Sequence, residues 1–249
     1  MTWRIWKLLR LTAAVRIAAA VAIFLGVYSA DAQSLSVLPV NVFLSPGQKS
    51  ATMSVTNSGD RPTSIQVRAY DWSQKDNEDQ LSPSKVVAVS PPLVTIPPKG
   101  TQVVRLILRQ PSTGSEATYR LIVDQIPGPH EPGVVQMVLR LSIPVFVAPE
   151  MKVTPKVQFH LERDGEKLFL LGVNSGQSHD VYRDIALTAN DGHKLSVKST
   201  ASPYLLAGAT RRWELDGQGY TPKQTESLKL TAHGINGDID EQIGVAVTP

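Results

Sequence analysis

The chain has 249 residues, no cysteine, and 25 basic against 22 acidic side chains. Without cysteine there are no disulfides, so stability has to come from hydrophobic burial. Four of the basic residues and one acid precede Gln33, which leaves 21 of each in the remainder, without net formal charge. No basic stripe with interleaved aromatics, the footprint of a nucleic-acid surface, is present.

The first stretch reads as a signal peptide. Arg4, Lys7, Arg10 and Arg16 form a basic region, Ile17 to Val27 an apolar one, and Ala30-Asp31-Ala32 a small-x-small cleavage site. The predicted mature chain begins at Gln33 and is exported. The apolar run is shorter than the roughly 20 residues a membrane span needs. No later stretch is long and apolar enough to span a bilayer.

After Gln33 the pattern is all-β: short β-branched runs separated by Pro, Gly, Asn and Asp clusters. In chain order the expected strands are Leu35–Phe43, Ser50–Thr56 and Thr63–Trp72. A polar stretch, Ser73–Ser84, is expected to be a solvated loop. Val86–Ser90 follows, then an irregular crossing bracketed by Pro91-Pro92 and Pro97-Pro98. Thr101–Arg109 and Ala117–Gln125 lead to a last run, Val134–Val147. About seven strands in this span match the count of an immunoglobulin-like sandwich.

Val134–Val147 is the most informative run of the chain. Val135, Met137, Leu139, Leu141 and Ile143 fall at two-residue spacing and would share one face of a strand. Gln136, Val138, Arg140 and Ser142 alternate with them. Fourteen residues at about 3.3 Å each would extend roughly 45 Å, far beyond a usual strand. Such an apolar comb suits the capture of another chain by strand addition. Pro144 removes one ladder donor, which is tolerated on an edge strand. A free chain would have to hide that edge, either by self-association or by pairing with its own Gln33–Val37.

A second sandwich domain is expected over residues 150–249, after an N-terminal domain over residues 33–149. Its strands are Lys152–Leu161, Lys167–Val173, Val181–Ala189, Arg211–Leu215, Thr225–His233 and Ile239–Val247. Asp164-Gly165 is a hairpin signal. The linker Ala148-Pro149-Glu150 is short enough to fix the angle between the domains.

Catalytic patterns are missing. His130, His160, His179, His193 and His233 are scattered without metal-ligand spacing, and neither a Walker loop nor a G-x-S-x-G elbow occurs. No enzyme activity, cofactor or metal is expected. Asp76, Glu78 and Asp79 read as members of a solvated face.

The ordered set Val40-Asn41-Val42-Phe43-Leu44-Ser45, Val55-Thr56-Asn57, Ile96-Pro97-Pro98-Lys99-Gly100, Val104-Arg105-Leu106, Tyr119-Arg120-Leu121, Gln125-Ile126-Pro127 and Pro144-Val145-Phe146-Val147 resembles the periplasmic pilus chaperones of chaperone–usher systems. The resemblance covers roughly Leu35 to Pro149. It implies a boomerang of two immunoglobulin-like domains that binds pilin subunits lacking a strand and delivers them to an outer-membrane usher. The comb residues Val135, Met137, Leu139, Leu141 and Ile143 would then fill the subunit's groove.

One departure stands out. Familiar members grip the subunit's terminal carboxylate with an arginine on the first strand and a lysine near the end of the donor strand; those positions hold Val40 and Pro144. The sequence thus looks closer to the divergent, archaic branch. A buried carboxylate needs a partner, and the expected replacement is Arg120, with Arg105 second and Arg140 third. The competing functions are a secreted structural, adhesive or carbohydrate-binding sandwich, and an exported hydrolase. A sugar binder would cluster its aromatics, whereas Tyr70, Trp72, Tyr204 and Trp213 are dispersed.

Overall fold

A computed structural model describes residues 35–128, 133, 137–198, 202–217, 219–220 and 226–247; the signal-peptide reading of residues 1–32 lies outside them. All regular elements among the described residues are strands. In the first half these are β1 (Leu35–Leu38), β2 (Val42–Leu44), β3 (Ser50–Asn57), β4 (Thr63–Lys75), β5 (Glu78–Pro83), β6 (Val87–Ser90), β7 (Leu93–Ile96), β8 (Thr101–Leu108), β9 (Ala117–Ile126) and β10 (Arg140–Val147). They form two sheets, ordered β1-β3-β8-β6 and β2-β10-β9-β4-β5, with β7 also on β4.

Alternation places the core between these two sheets. Met53, Val55, Ile65, Val67, Val104, Leu106, Leu121, Val123, Val145 and Val147 pack there, essentially without solvent contact.

The expected first strand, Leu35–Phe43, is two strands in different sheets. A cis peptide joins Leu38 to Pro39, and the chain crosses from β1, paired with β3, to β2, paired with β10. Leu35–Leu38 is thus occupied by β3, so the alternative in which the N-terminal segment pairs with the donor edge is not seen for Leu35–Val37; Gln33 and Ser34 lie outside the described residues.

The expected solvated loop Ser73–Ser84 is also a correction. β4 continues to Lys75 and turns back into β5 through Asp76 and Asn77, at φ 53° and 65°. Two left-handed residues make the tight turn whose twist suits a hairpin. β5 is exposed along its whole length, which removes the apolar alternation that would reveal it in the sequence.

The second half contains β11 (Val157–Asp164), β12 (Lys167–Asn174), β13 (Asp180–Thr188), β14 (Lys194–Val197), β15 (Tyr204–Leu205), β16 (Thr210–Asp216), β17 (Ser227–Gly234) and β18 (Ile239–Val247). Their order is β14-β16-β12-β11-β18-β17-β13-β15, and β14 also pairs with β13. The layers of this second sandwich are therefore joined along their edges, around Leu161, Leu170, Leu187, Leu195, Leu205, Leu228 and Leu230. The run expected to start at Lys152 becomes a strand only at Val157. β14 and β15 are too short to show a period.

Both halves share a local device. Asn57-Ser58-Gly59 ends β3 and Asn174-Ser175-Gly176 ends β12. Each asparagine is 1% exposed. Asn57 Nδ2 donates to the carbonyls of Arg61, Ile96 and Pro97, and its Oδ1 accepts from Gly59 N–H. Asn174 Nδ2 donates to Ser178, Leu205 and Leu206, and its Oδ1 accepts from Lys156 and Gly176. Each side chain thus satisfies several buried or part-buried loop backbone groups at once. Asn57→Ala leaves them unpaired and should destabilise the protein by about 2–4 kcal/mol in denaturant unfolding; a loss below about 0.5 kcal/mol would contradict this role.

Candidate functional site

β10 runs antiparallel to β9 from Arg140↔Asp124 to Val147↔Ala117. The amide of Gln125 donates to Leu139 O at 2.9 Å. This fixes the phase of the ladder: Leu139, Leu141, Ile143 and Val145 turn their N–H and C=O towards β9, and the even-numbered residues turn theirs away. On that other side β2 covers only Val145 to Val147. Among the described residues, the N–H and C=O of Arg140 and Ser142 therefore face an open edge. Pro144 sits where its missing N–H would have pointed to the same side, so it costs the β9 ladder nothing.

The strand is shorter than expected, beginning at Arg140 instead of Val134. Its partner explains the difference. Continuing the register would set Met137 against Pro127, which has no N–H to donate, and β9 ends at Ile126. Met137, Val138 and Leu139 lie beyond the strand, with Leu139 N–H held by Gln125 Oε1 at 3.2 Å. Val134, Val135 and Gln136 fall outside the described residues. Nor is β10 an edge along its whole length; the open part is the upper half only.

The expected comb divides accordingly. Ile143 is 5% exposed and belongs to the first sandwich's own core, and half-buried Leu141 packs against that core. In this conformation neither is free to enter another protein's groove, because the inward face that sends Val145 and Val147 into the core continues through them. Met137 and Leu139 lie beyond the strand, past the top of the sandwich, and are 89% and 38% exposed. Val135 lies outside the described residues.

Arg120, the expected anchor, sits elsewhere. It points to the outer face of its sheet, where the second sandwich packs, and is 8% exposed. Its guanidinium lies 3.7 Å above the Trp72 ring and 5.2 Å from that of Tyr204. Its Nη2 is 3.7 Å from Asp79, which also lies 3.5 Å from Arg211. Burial lowers the Arg120 pKa, against the opposing pull of Asp79. The hairpin tip completes this contact: Asn77 O accepts from Arg211, and Asn77 Oδ1 accepts from the Arg212 amide at 2.7 Å. Asp79, expected on a solvated face, thus joins the two halves. Arg120 is part of that junction, and an incoming carboxylate would have to displace Asp79 to reach it.

The rest of the junction is aromatic. Phe146 stacks on His179 with centroids 3.6 Å apart, and exposed Phe43 stacks on Phe146 at 5.4 Å. His179 Nδ1 lies 2.6 Å from Glu116 Oε1.

Arg105 is different. It is exposed on the outer face of β8, across from Thr52 and Ser90. It lines a shallow concavity with Pro39, Val42, Phe43 and Thr52, beside the chain crossing that leads into β2. No side-chain hydrogen bond or ion pair engages it among the described residues. Arg140 instead binds Asp124. Trp72 and Trp213 are each 3% exposed in cores, which removes them from any sugar-binding surface. Among the described residues no group of His, Asp and Glu could hold a metal ion.

This arrangement has a counterpart among known proteins. Residues 34–152 match the family model of the pili and flagellar-assembly chaperone PapD N-terminal domain. The first domain is that of a pilus-assembly chaperone of the chaperone–usher type. Chaperones of this family are not enzymes. No curated protein matches the chain.

Solved structures extend the likeness to both halves of the chaperone. The chain resembles a structure from the archaic chaperone–usher Csu pili of Acinetobacter baumannii, the CsuC–CsuE chaperone–tip subunit pre-assembly complex. The TM-score is 0.64 at 20% identity, over 87% of this chain and 100% of that one. It also resembles the YadV chaperone, with TM-score 0.61, 16% identity, and 85% and 99% of the two chains covered. A third is the Salmonella enterica SafA pilin complex with the SafB chaperone, at 0.58 and 16%, over 86% and 97%. At these identities the likeness is one of fold.

Sequence reasoning missed one charged cluster at the root of the open edge. Asp124 on β9 accepts from Arg140 on β10 and, at 2.5 Å, from Arg68 on β4. Partial burial pushes the Asp124 carboxyl up, but the hydrogen bonds from Arg140 and Arg68 together outweigh it, and the net shift is down. A lowered folded-state pKa means that the carboxylate stabilises the fold above the ordinary carboxylate range and ceases to as pH falls through the lowered value. The stability difference between the wild type and Asp124→Asn should therefore be constant from about pH 5 to 8 and shrink below about pH 4. A difference that grows on acidification would contradict this.

Proposed function

We propose that this chaperone captures pilin-type subunits that lack a strand by adding the open half of β10, with the Met137–Leu139 overhang, to the subunit's sheet. It then delivers them to an outer-membrane usher. The observation that supports the reading most is the pairing of two features: the N–H and C=O of Arg140 and Ser142, without a strand partner on their open side among the described residues, and next to them Met137 and Leu139 held out of any core. Main-chain groups would supply register and the overhanging side chains would supply burial. Burying two or three such side chains is worth about 3–6 kcal/mol gross. The periplasm is the compartment in which this works, reached through the signal-like first 32 residues. The chain is placed nearest the archaic branch, since Val40 and Pro144 replace the basic pair of familiar members.

The subunit's terminal carboxylate is assigned to Arg105 in preference to Arg120. Arg105 offers an unengaged guanidinium beside Pro39 and Val42, where the chain borders the open edge, whereas Arg120 is held by Asp79 and Trp72. Self-association of the free chaperone through the same edge is part of the proposal.

The test is co-expression with candidate subunits and co-purification from periplasm. Met137→Asp combined with Leu139→Asp should leave the chaperone folded and abolish capture. Arg105→Ala should weaken capture at least about tenfold, as expected for a lost charge-assisted contact. Normal capture by the folded double variant would exclude the donor-edge reading. Wild-type capture by Arg105→Ala, with loss in a folded Arg120→Ala, would return the anchor to Arg120.

A further inference from the structure

Where β10 leaves the sheet, three strands are tied together by one carboxylate. Arg140 stands directly opposite Asp124, in a pair that makes no ladder hydrogen bond and so brings its side chains close. Arg68 lies on the neighbouring strand, two positions beyond Gln66, the residue facing Asp124. Asp124 is 16% exposed at its side chain and holds both guanidinium groups, one on each oxygen. One row further out, Gln125 engages Leu139 with both backbone and side chain. Beyond that row β9 ends. The three charged groups do not serve the core, since Arg68, Asp124 and Arg140 share the outer face of the sheet.

A last row of a strand with nothing on its other side frays easily. Here it is pinned at the point where the overhang begins. We propose that Asp124 is a positioning residue for capture: with Arg68 and Arg140 it clamps the root of the donor segment, so that the free comb starts at a fixed residue, Leu139, and meets a subunit in one register. The inference rests on reading the β10 edge as the capture edge. Slipping that register by one residue would turn every tooth to the wrong face. A fixed root also spares the subunit the ordering of Arg140 to Ile143, which keeps capture fast.

Amide hydrogen exchange on the free full-length chaperone tests the clamp without any subunit. Asp124→Asn should lower protection of the Leu141 amide about tenfold or more, while Val145, flanked by β2 and β9, keeps its protection. Asp124→Glu should restore part of the difference. Arg140→Gln, an exposed change that buries nothing, should loosen Leu141 in the same direction by less. Unchanged protection at Leu141 in both Asp124→Asn and Arg140→Gln overturns the proposal. So does an equal fall across β4, β9 and β10, which would mark Asp124 as a general stabiliser. The same variants are then assayed by co-purification with the subunit that the wild type captures. Folded Asp124→Asn should capture more slowly, and capture at the wild-type rate overturns the proposal. If the wild type captures no subunit, the donor-edge reading fails, and the exchange result alone decides whether the clamp exists.

Discussion

Everything at the candidate site depends on how little of β10 is covered by β2. Three residues of β2 seal Val145 to Val147, and among the described residues the sheet then has an unpaired margin. A longer β2 would close the margin and leave an ordinary sandwich. The crossing at Pro39 is what keeps β2 short, because the chain has only just left β1 and the other sheet. On the opposite side, Pro127 ends β9 as a partner and releases Met137 and Val138, while Leu139 stays bonded to Gln125. Two prolines, Pro39 ahead of β2 and Pro127 just past β9, therefore define where the exposed segment begins and which side of it is open.

Alternation along β10 separates two roles within one strand. The inward residues from Leu141 to Val147 have a core beneath them, and Met137 and Leu139, beyond the strand, overhang it. The outward face divides in the same manner. Near the second sandwich it carries Phe146, packed against His179, with Arg120 and Trp72 from neighbouring strands. At the far end it carries Arg140, bound to Asp124. One end of the sheet is thus anchored to the second domain by aromatic stacking and buried charge, and at the other end the β10 margin stays open among the described residues. Aromatic stacking and the Arg120–Asp79–Arg211 contact stiffen the junction, so the open edge is presented from a fixed frame.

Much of this was legible in the sequence. The all-β class followed from short β-branched runs between turn residues, and the Ile143–Val147 end of the long run was correctly seen as a strand. The pilus-chaperone resemblance rested on ordered short motifs such as Gln125-Ile126-Pro127, and the family match covers the same region. What was not legible depended on pairing partners. A two-residue period cannot distinguish an apolar residue over its own core, such as Ile143, from one overhanging it, such as Met137. The hairpin over Thr63–Pro83 was hidden because β5 is exposed along its whole length and carries a single large apolar residue, Leu81. Arg120 looked available because nothing in a linear sequence shows that Asp79 and Trp72 enclose it. Asp124, Arg68 and Arg140 lie far apart in the chain, and only the register of β4, β9 and β10 brings them together.

The central claim is that a subunit's strand adds to the open side of β10, and the direction of individual amides tests it most directly. Hydrogen exchange should be compared between the free chaperone and its complex with a co-purified subunit. The amides of Arg140 and Ser142, which face the open edge, should gain strong protection on capture. Those of Leu141 and Ile143, already bonded to β9, should change far less. A complex in which Arg140 and Ser142 exchange as in the free protein would contradict the account.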